Sequence, residues 1–352
     1  MQITEAASRS IRASIDELVA DAVDRQWRRW PDLRARLNQS QREQTINDTR
    51  FHLQFIASSL WAAEPLLLGD YLRWCKVLFT NLSLPIEWLV GSIECVRESL
   101  AQTLSAAELA VAEEYIDSAM ETLQSSSTTL ESVISADAPL GGLAHRYLGA
   151  VLGGDRVLAS QMLTDVADEG TSIRDIYLHV FQPVQREIGR LWLMNRISVA
   201  QEHYATSVTQ VVMAQLYGRM FTGERHNRSL VAACVGRELH ELGMRMVADF
   251  FEMDRWDTRY LGANMPNASI VQTVRESRAD MLALSATMLF HVEEVAKIIE
   301  MVRADEATAR TKVLVGGYPF NLAPDLWHRV GADGYAPDAE SALVIGRELL
   351  TV

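Results

Sequence analysis

The sequence predicts helical bundles as far as residue 221 and, after them, a doubly wound α/β domain with a five-stranded parallel sheet. Three observations carry this reading. From Ile11 onward, apolar residues recur at the three-and-four spacing of amphipathic helices. From Ser229 that period gives way to short strand-like stretches at 229–235, 256–262, 280–286, 312–317 and 332–336, separated by stretches of helical pattern. Strand and helix in regular alternation build a parallel sheet with helices on both faces.

In chain order, Ile11, Ile15, Leu18 and Ala22 share one helical face. Ile46, Leu53, Ile56 and Leu60 share another, behind a capping box at Ser40 and Glu43. A third helix begins at Pro65, where a missing N–H costs nothing, and lines up Leu67, Tyr71, Trp74 and Leu78. A fourth follows Pro85 with Leu89, Ile93, Val96 and Leu100 on one face. A fifth follows the capping box Ser105/Glu108 and places Leu109, Ala112, Ile116 and Leu123 together. This is an all-α bundle of five or six helices. The stretch from Ser135 to Ala144, with one proline and two glycines, interrupts the pattern. Four more helices are expected at 142–152, 155–169, 171–194 and 198–221, the last opened by a Ser198/Gln201 capping box, and short loops between them imply an antiparallel bundle. Polar residues from Thr222 to Ser229 form the linker to the sheet. The domains expected are therefore 1–137, 138–224 and 225–352.

Composition bounds the function. A chain of 352 residues, 48% hydrophobic and 22% charged with 9 prolines, has apolar sequence for two or three folded domains. The apolar run from Met281 to Phe290 falls short of the about 20 residues that cross a bilayer. The first residues carry acids from Glu5 onward with no apolar core, unlike a secretory signal, so a cytoplasmic protein is expected. Cys75, Cys95 and Cys234 are scattered, which excludes a disulfide framework and a cysteine-rich zinc site. A net charge of −13 argues against a polyanion-binding surface over most of the protein, though it leaves room for a local basic patch.

In open parallel sheets ligands bind at the carboxyl ends of the strands, so the loops after Val235, Leu284 and Val315 are where chemistry is sought. The first reads Gly236-Arg237-Glu238-Leu239-His240-Glu241-Leu242-Gly243. It holds an acid, a histidine two residues on and a glycine three beyond that, on the first strand of the sheet. An imidazole there can be projected into the crevice, and a glycine lets a bulky ligand approach the backbone. Ser285 follows the third strand, with Thr287 two residues later; Gly316 and Gly317 follow the fourth; Tyr335 ends the fifth.

These loops resemble those of cobalamin-binding domains. The resemblance implies that His240 is the lower axial ligand of cobalt, with Glu238 fixing its tautomer. It also places Leu239, Glu241, Leu242 and Gly243 along the ligand, and Ser285, Thr287, Gly316, Gly317 and Tyr335 around its nucleotide tail. Two positions depart from the common pattern: Glu238 stands where the acid is usually Asp, and Thr287 where Leu is common. In the helical unit, Trp192 is followed after nine residues by Glu202 and His203. That spacing is similar to the four-helix cap of CarH-type photoreceptors, which implies that Trp192 packs over the adenosyl group of adenosylcobalamin and that Glu202 and His203 contact it from above. The residue after Trp192 is Leu193, so the upper-face histidine those proteins carry there has no counterpart at that position.

Residues 1–137 do not resemble the winged-helix DNA-binding domain of CarH-type regulators. The order of helical domain, cap and cobalamin domain resembles the photocobilins, which implies a light sensor that binds a bilin such as biliverdin as well as adenosylcobalamin. Candidate bilin contacts are His52, Tyr71, Arg73, Trp74, Cys75 and Lys76, although their helical spacing reads more strongly as core packing and flanks. The resemblance further implies a homo-oligomer, dimer or tetramer, no membrane, no nucleic acid and no catalysis. The alternative is a corrinoid carrier that serves methyltransferases. A mutase is disfavoured, since no barrel of about 250 residues is present.

Overall fold

The computed structural model describes residues 2–220 and 223–351, and its contacts divide the chain into two units. One comprises the residues up to Thr128 together with Met288–Glu293; the other comprises Thr129–Thr287 and Glu294–Val352.

The second unit holds both a helical bundle and the sheet. Five parallel strands, β1 (Ser229–Cys234), β2 (Asp257–Tyr260), β3 (Met281–Ser285), β4 (Lys312–Gly316) and β5 (Gly334–Tyr335), lie in the order β2-β1-β3-β4-β5. The expected doubly wound sheet is therefore present, and its switch point falls between β1 and β3. β1 and β3 are buried almost throughout, as the central strands of a sheet covered on both faces must be. Before the sheet come helices Gly141–Leu152, Arg156–Asp168, Ile173–Ile176, Gln182–Leu193 and Val199–Leu216. The single helix expected at 171–194 is one continuous rod with a π-turn at Tyr177–Phe181. Pro183 has no N–H to close the α-helical ladder there, and the Gln182 N–H reaches five residues back to the Tyr177 carbonyl instead. The Ser198/Gln201 capping box is formed. The last helix ends at Leu216 and a 3₁₀ turn, Tyr217–Arg219, follows. The expected extension of that helix to 221, and the linker's start at Thr222, lie outside the described residues.

Helix Leu242–Met253, directly after β1, explains why bundle and sheet form one unit. It is apolar on two sides. Met244, Ala248 and Phe251 join the core of the sheet, while Met246 and Phe250 join that of the bundle. A helix apolar all round is one buried between layers. Polar bonds flank the apolar strip: buried Asp249 accepts the Tyr177 hydroxyl proton at 2.8 Å, and Glu252 accepts that of Tyr217 at 2.9 Å.

The first unit contains Gln2–Ala13, Ile15–Arg29, Pro31–Arg36, Gln39–Ala62, Leu66–Asn81, Ile86–Thr103 and Ala106–Ser125, packed around one apolar core. These are seven helices among the described residues, where five or six were expected. The face shared by Ile11 and Leu18 is broken at Ser14, and Pro31 opens a short extra helix. The capping box of the long fourth helix is Asn38/Gln41, not Ser40/Glu43. Asn38 takes the extended backbone an N-cap needs, and its Oδ1 accepts the Gln41 N–H at 2.9 Å. Ile46 on this helix is exposed, so its buried face begins further along, at Leu53, Ile56 and Leu60. The Ser105/Glu108 box is formed as expected. Among the described residues, no helix is long and apolar enough to cross a membrane.

Asp249 allows a test of the seam between bundle and sheet. Burial pushes its carboxyl up to about 6 from an ordinary value of 3.8. A carboxyl raised in the folded state binds its proton more tightly there, so this group favours folding most at low pH and progressively less from about pH 4 to 6. Asp249→Asn keeps an acceptor for Tyr177 without the buried charge. Urea unfolding should show it about 1–3 kcal/mol more stable than the wild type at pH 7.5. At pH 4.5 most of that difference should be gone.

Candidate functional site

The ends of three strands are level. Register pairs Cys234 with Ser285 and Ser285 with Gly316, so the loops leaving β1, β3 and β4 open together at the switch point.

The loop after β1 is tightly specified. Arg237 lies in the left-handed region at φ 67°, a conformation uncommon for a residue with a Cβ. Its N–H donates to Asn264 Oδ1 at 2.7 Å, and the Asn264 N–H returns a bond to the Glu238 carbonyl at 2.9 Å. This turns the Glu238 side chain inward, where the residue is 0% exposed. Glu238 Oε1 accepts from His240 Nδ1–H at 2.6 Å and from the His240 backbone N–H at 3.0 Å; Oε2 accepts the Thr287 N–H at 2.7 Å. One buried carboxylate thus ties the β1 loop to the β3 loop. The imidazole itself is 62% exposed, with Nδ1 committed to Glu238 and Nε2 left for a ligand. The Glu238 hydrogen bond raises its proton affinity above the ordinary value against partial desolvation, and the charge of Glu202 adds to the rise. Glu202, at the start of helix Val199–Leu216, therefore acts on the same space as His240.

The remaining loop residues take distinct places. Leu239 is 72% exposed beside His240, Leu242 is half-buried at the start of its helix, and Gly243 is exposed with nothing within 4 Å of where a Cβ would stand. Glu241 Oε1 accepts from Gln210 Nε2 at 2.7 Å and its Oε2 accepts the Tyr260 hydroxyl proton at 3.1 Å, which joins loop, bundle and β2. Ser285 is buried at the end of β3. Gly317 has φ 112°, and a Cβ on it would stand 2.1 Å from the Ala286 carbonyl oxygen. Only glycine allows β4 to turn so close to the β3 end. A Cβ on Gly316 would meet the Ala336 carbonyl at 3.0 Å. Tyr335 is half-buried, its hydroxyl donating to Asn321 Oδ1 at 2.9 Å. On the bundle, Trp192 is half-buried near the end of its helix and Leu193 is buried. His203 is exposed, its Nδ1 2.5 Å from Glu202 Oε2.

Of the candidates in the first unit, the structure brings His52, Tyr71 and Cys75 into one buried cluster. His52 Nδ1 and the Tyr71 hydroxyl are 2.8 Å apart, and Phe55 stacks on Tyr71 with centroids at 3.7 Å. Burial takes the His52 imidazole down to about 4 and the Cys75 thiol up to about 12, so both are neutral at ordinary pH. Trp74 is half-buried against the same core. Arg73 is bound to Asp70 at 2.6 Å, and Lys76 donates to the Leu123 and Ser126 carbonyls at a helix end.

Asn264, Gln210 and Tyr260 shape the loop and were not expected from sequence. Asn264 follows the β2 end and so carried a positional signal; Gln210 sits mid-helix and carried none. The donor set fits a corrinoid cobalt: an exposed imidazole oriented by a carboxylate whose other bonds are filled, beside glycines that leave the backbone open.

Comparison with known proteins agrees. Residues 228–344 match the family model described as B12 binding domain, residues 143–217 match a second model of that description, and residues 2–123 match that of phycobilisome protein. The chain is 27% identical over 170 residues to dimethylamine corrinoid protein 3 of Methanosarcina acetivorans, covering 45% of this chain and 78% of that protein. It is 30% identical over 122 residues to dimethylamine corrinoid protein 2 of the same organism, 34% of this chain and 55% of that one. The match thus spans about half the length of that relative. Against the HTH-type transcriptional repressor CarA of Myxococcus xanthus it is 29% identical over 212 residues, 59% of this chain and 68% of that protein. The monomethylamine corrinoid protein of Methanosarcina barkeri shares the fold with a TM-score of 0.54 at 15% identity, over 60% of this chain and 99% of that chain. Together these similarities support a cobalamin-binding protein.

Removing the Glu238 carboxylate strands three donors at once. Glu238→Ala should cost about 2–4 kcal/mol of folding stability, read from the urea midpoint. A midpoint unchanged from wild type would refute the bridging role.

Proposed function

We propose that this protein is a cobalamin-dependent light sensor, holding adenosylcobalamin with His240 as the lower ligand of cobalt. The observation that carries it is the His240–Glu238–Thr287 bridge at the switch point, beside a bundle helix whose Gln210 bonds Glu241 and whose Glu202 acts electrostatically on His240. The bound group would supply a cobalt–carbon bond that green light breaks. His240 offers Nε2, and Glu238 holds the ring in the tautomer that leaves that nitrogen free. Ser285, Thr287, Gly316 and Gly317 would line the tail, and at Gly317 a Cβ would stand 2.1 Å from the Ala286 carbonyl oxygen. Trp192, Glu202 and His203 would contact the group from the bundle side. The bundle rests on the helix after His240 through Met246, Phe250 and the bonds of Asp249 and Glu252, so a change at those contacts biases how bundle and sheet pack. The output is a rearranged surface, read in a homo-oligomer or by a protein partner, and no catalytic step is assigned to the chain.

A second reading, a corrinoid carrier of methyl groups, is favoured by the similarity to the dimethylamine corrinoid proteins. The two separate cleanly. For the sensor, the full chain loaded with adenosylcobalamin should change its absorption spectrum under green light and hold its dark spectrum in darkness. Methylation of the bound cobalt by a methyltransferase, with no response to light, would establish the carrier instead. A bilin such as biliverdin in the amino-terminal unit is a separable part of the proposal, motivated by the phycobilisome-protein similarity of residues 2–123. Its test is a far-red band on biliverdin addition, and the absence of one removes it.

His240→Ala should shift the dark spectrum of the loaded protein to that of cobalamin without an imidazole ligand; a wild-type spectrum would refute the ligand assignment. Trp192→Ala should speed loss of the adenosyl group about tenfold or more while leaving overall cobalamin retention little changed.

A further inference from the structure

A cavity of about 500 Å³ lies at the opposite edge of the sheet from His240, lined by His226, Asn227, Arg228, Asp254, Arg255 and Arg347. His226 to Arg228 precede β1 and Arg255 precedes β2, so it stands at the amino ends of strands whose carboxyl ends carry the candidate cobalamin loops. The six-residue β1 puts the two about 20 Å apart.

We infer that this cavity binds a phosphate-bearing small molecule of nucleotide size. Three guanidiniums and an imidazole face one carboxylate, in a chain whose net charge is −13. That carboxylate is already engaged: Asp254 Oδ2 accepts from Arg347 Nε at 2.9 Å and from Trp256 Nε1 at 3.1 Å, and Oδ1 accepts from a second Arg347 nitrogen. It fixes the Arg347 fork without cancelling the other two charges. The Arg228 guanidinium lies 5.6 Å from the Trp256 ring centroid, held by a cation–π contact, and neither it nor Arg255 has a carboxylate partner among the described residues. Arg255 occupies a left-handed backbone position, φ 70°, where glycine or asparagine would sit with less strain, and its carbonyl accepts the His226 N–H at 2.7 Å, joining two walls. Arg347 and Arg228 are held by Asp254 and Trp256, and guanidinium forks suit a phosphoryl group, to which they donate in pairs. The volume exceeds what a bare phosphate fills and falls within the range of small-molecule sites.

Isothermal titration of the full chain at low salt with inorganic phosphate, pyrophosphate and adenosine monophosphate tests this without reference to cobalamin. Saturable binding of the nucleotide, weakened about tenfold or more by Arg255→Asn and by Arg228→Gln but unchanged by His240→Ala, would support the site. Asparagine suits the left-handed backbone, and the melting temperature checks that each variant is folded. Inorganic phosphate binding as tightly as the nucleotide would keep the anion site but overturn the nucleotide-sized ligand. No saturable binding of any probe up to about 10 mM, indifference to both substitutions, or binding of an acidic peptide alone would overturn the inference.

Discussion

The buried carboxylate of Glu238 is the constraint on which the site depends. It is wholly withdrawn from water, yet it keeps acceptors for three donors: the ring and backbone of His240 and the backbone of Thr287. A carboxylate is stable in such a place only when its lone pairs are used, and here that need fixes two loops at once. One side chain holds the imidazole at 2.6 Å and a backbone N–H of the neighbouring strand's loop at 2.7 Å. Position, tautomer and the mutual placement of the loops are therefore consequences of a single contact set.

The helix after that loop carries the arrangement into the bundle. Its first turn follows His240, its sheet side is Met244, Ala248 and Phe251, and its other side is Met246 and Phe250. Apolar contact alone would allow the two layers to slide. The bonds from Gln210 to Glu241, Tyr177 to Asp249 and Tyr217 to Glu252 are directional and fix the register between layers. They run along one helix from the candidate ligand loop to its far end, so bundle and loop are mechanically one assembly.

Whatever depends on local pattern was legible in the sequence. The change of period at Ser229 located every strand to within one or two residues: β1, β3 and β4 are buried parallel strands and so read as short apolar runs, while β2 and β5 were found by their place in the alternation with helices. Two of three capping boxes were placed correctly; the third shifted by two residues, since Asn38/Gln41 and Ser40/Glu43 offer the same chemistry in overlapping registers and only the backbone at Asn38 decides. The glycines at the β4 end were legible as turn chemistry, but the reason for Gly317, where a Cβ would stand 2.1 Å from the Ala286 carbonyl oxygen, was not. Contacts that join residues far apart in the chain gave no sequence signal. Glu238 and Thr287 are 49 residues apart, Gln210 and Glu241 31 apart, and no spacing rule connects them.

The two histidine–carboxylate pairs of the candidate site differ in a way that bears on how it would work. On the sheet side, Glu238 is 0% exposed and accepts from His240 and Thr287, so His240 is oriented before any ligand arrives. On the bundle side, the Glu202 side chain is 30% exposed and that of His203 74%, and Thr206 is the further partner of Glu202. A pair in water contributes little and rearranges readily. Leu193 is buried and turns inward, while His203 stands exposed in the same turn as Glu202. On the proposed reading, a preset His240 and a solvent-exposed Glu202–His203 pair would concentrate any conformational response in the bundle, the layer joined to the sheet through the helix after His240.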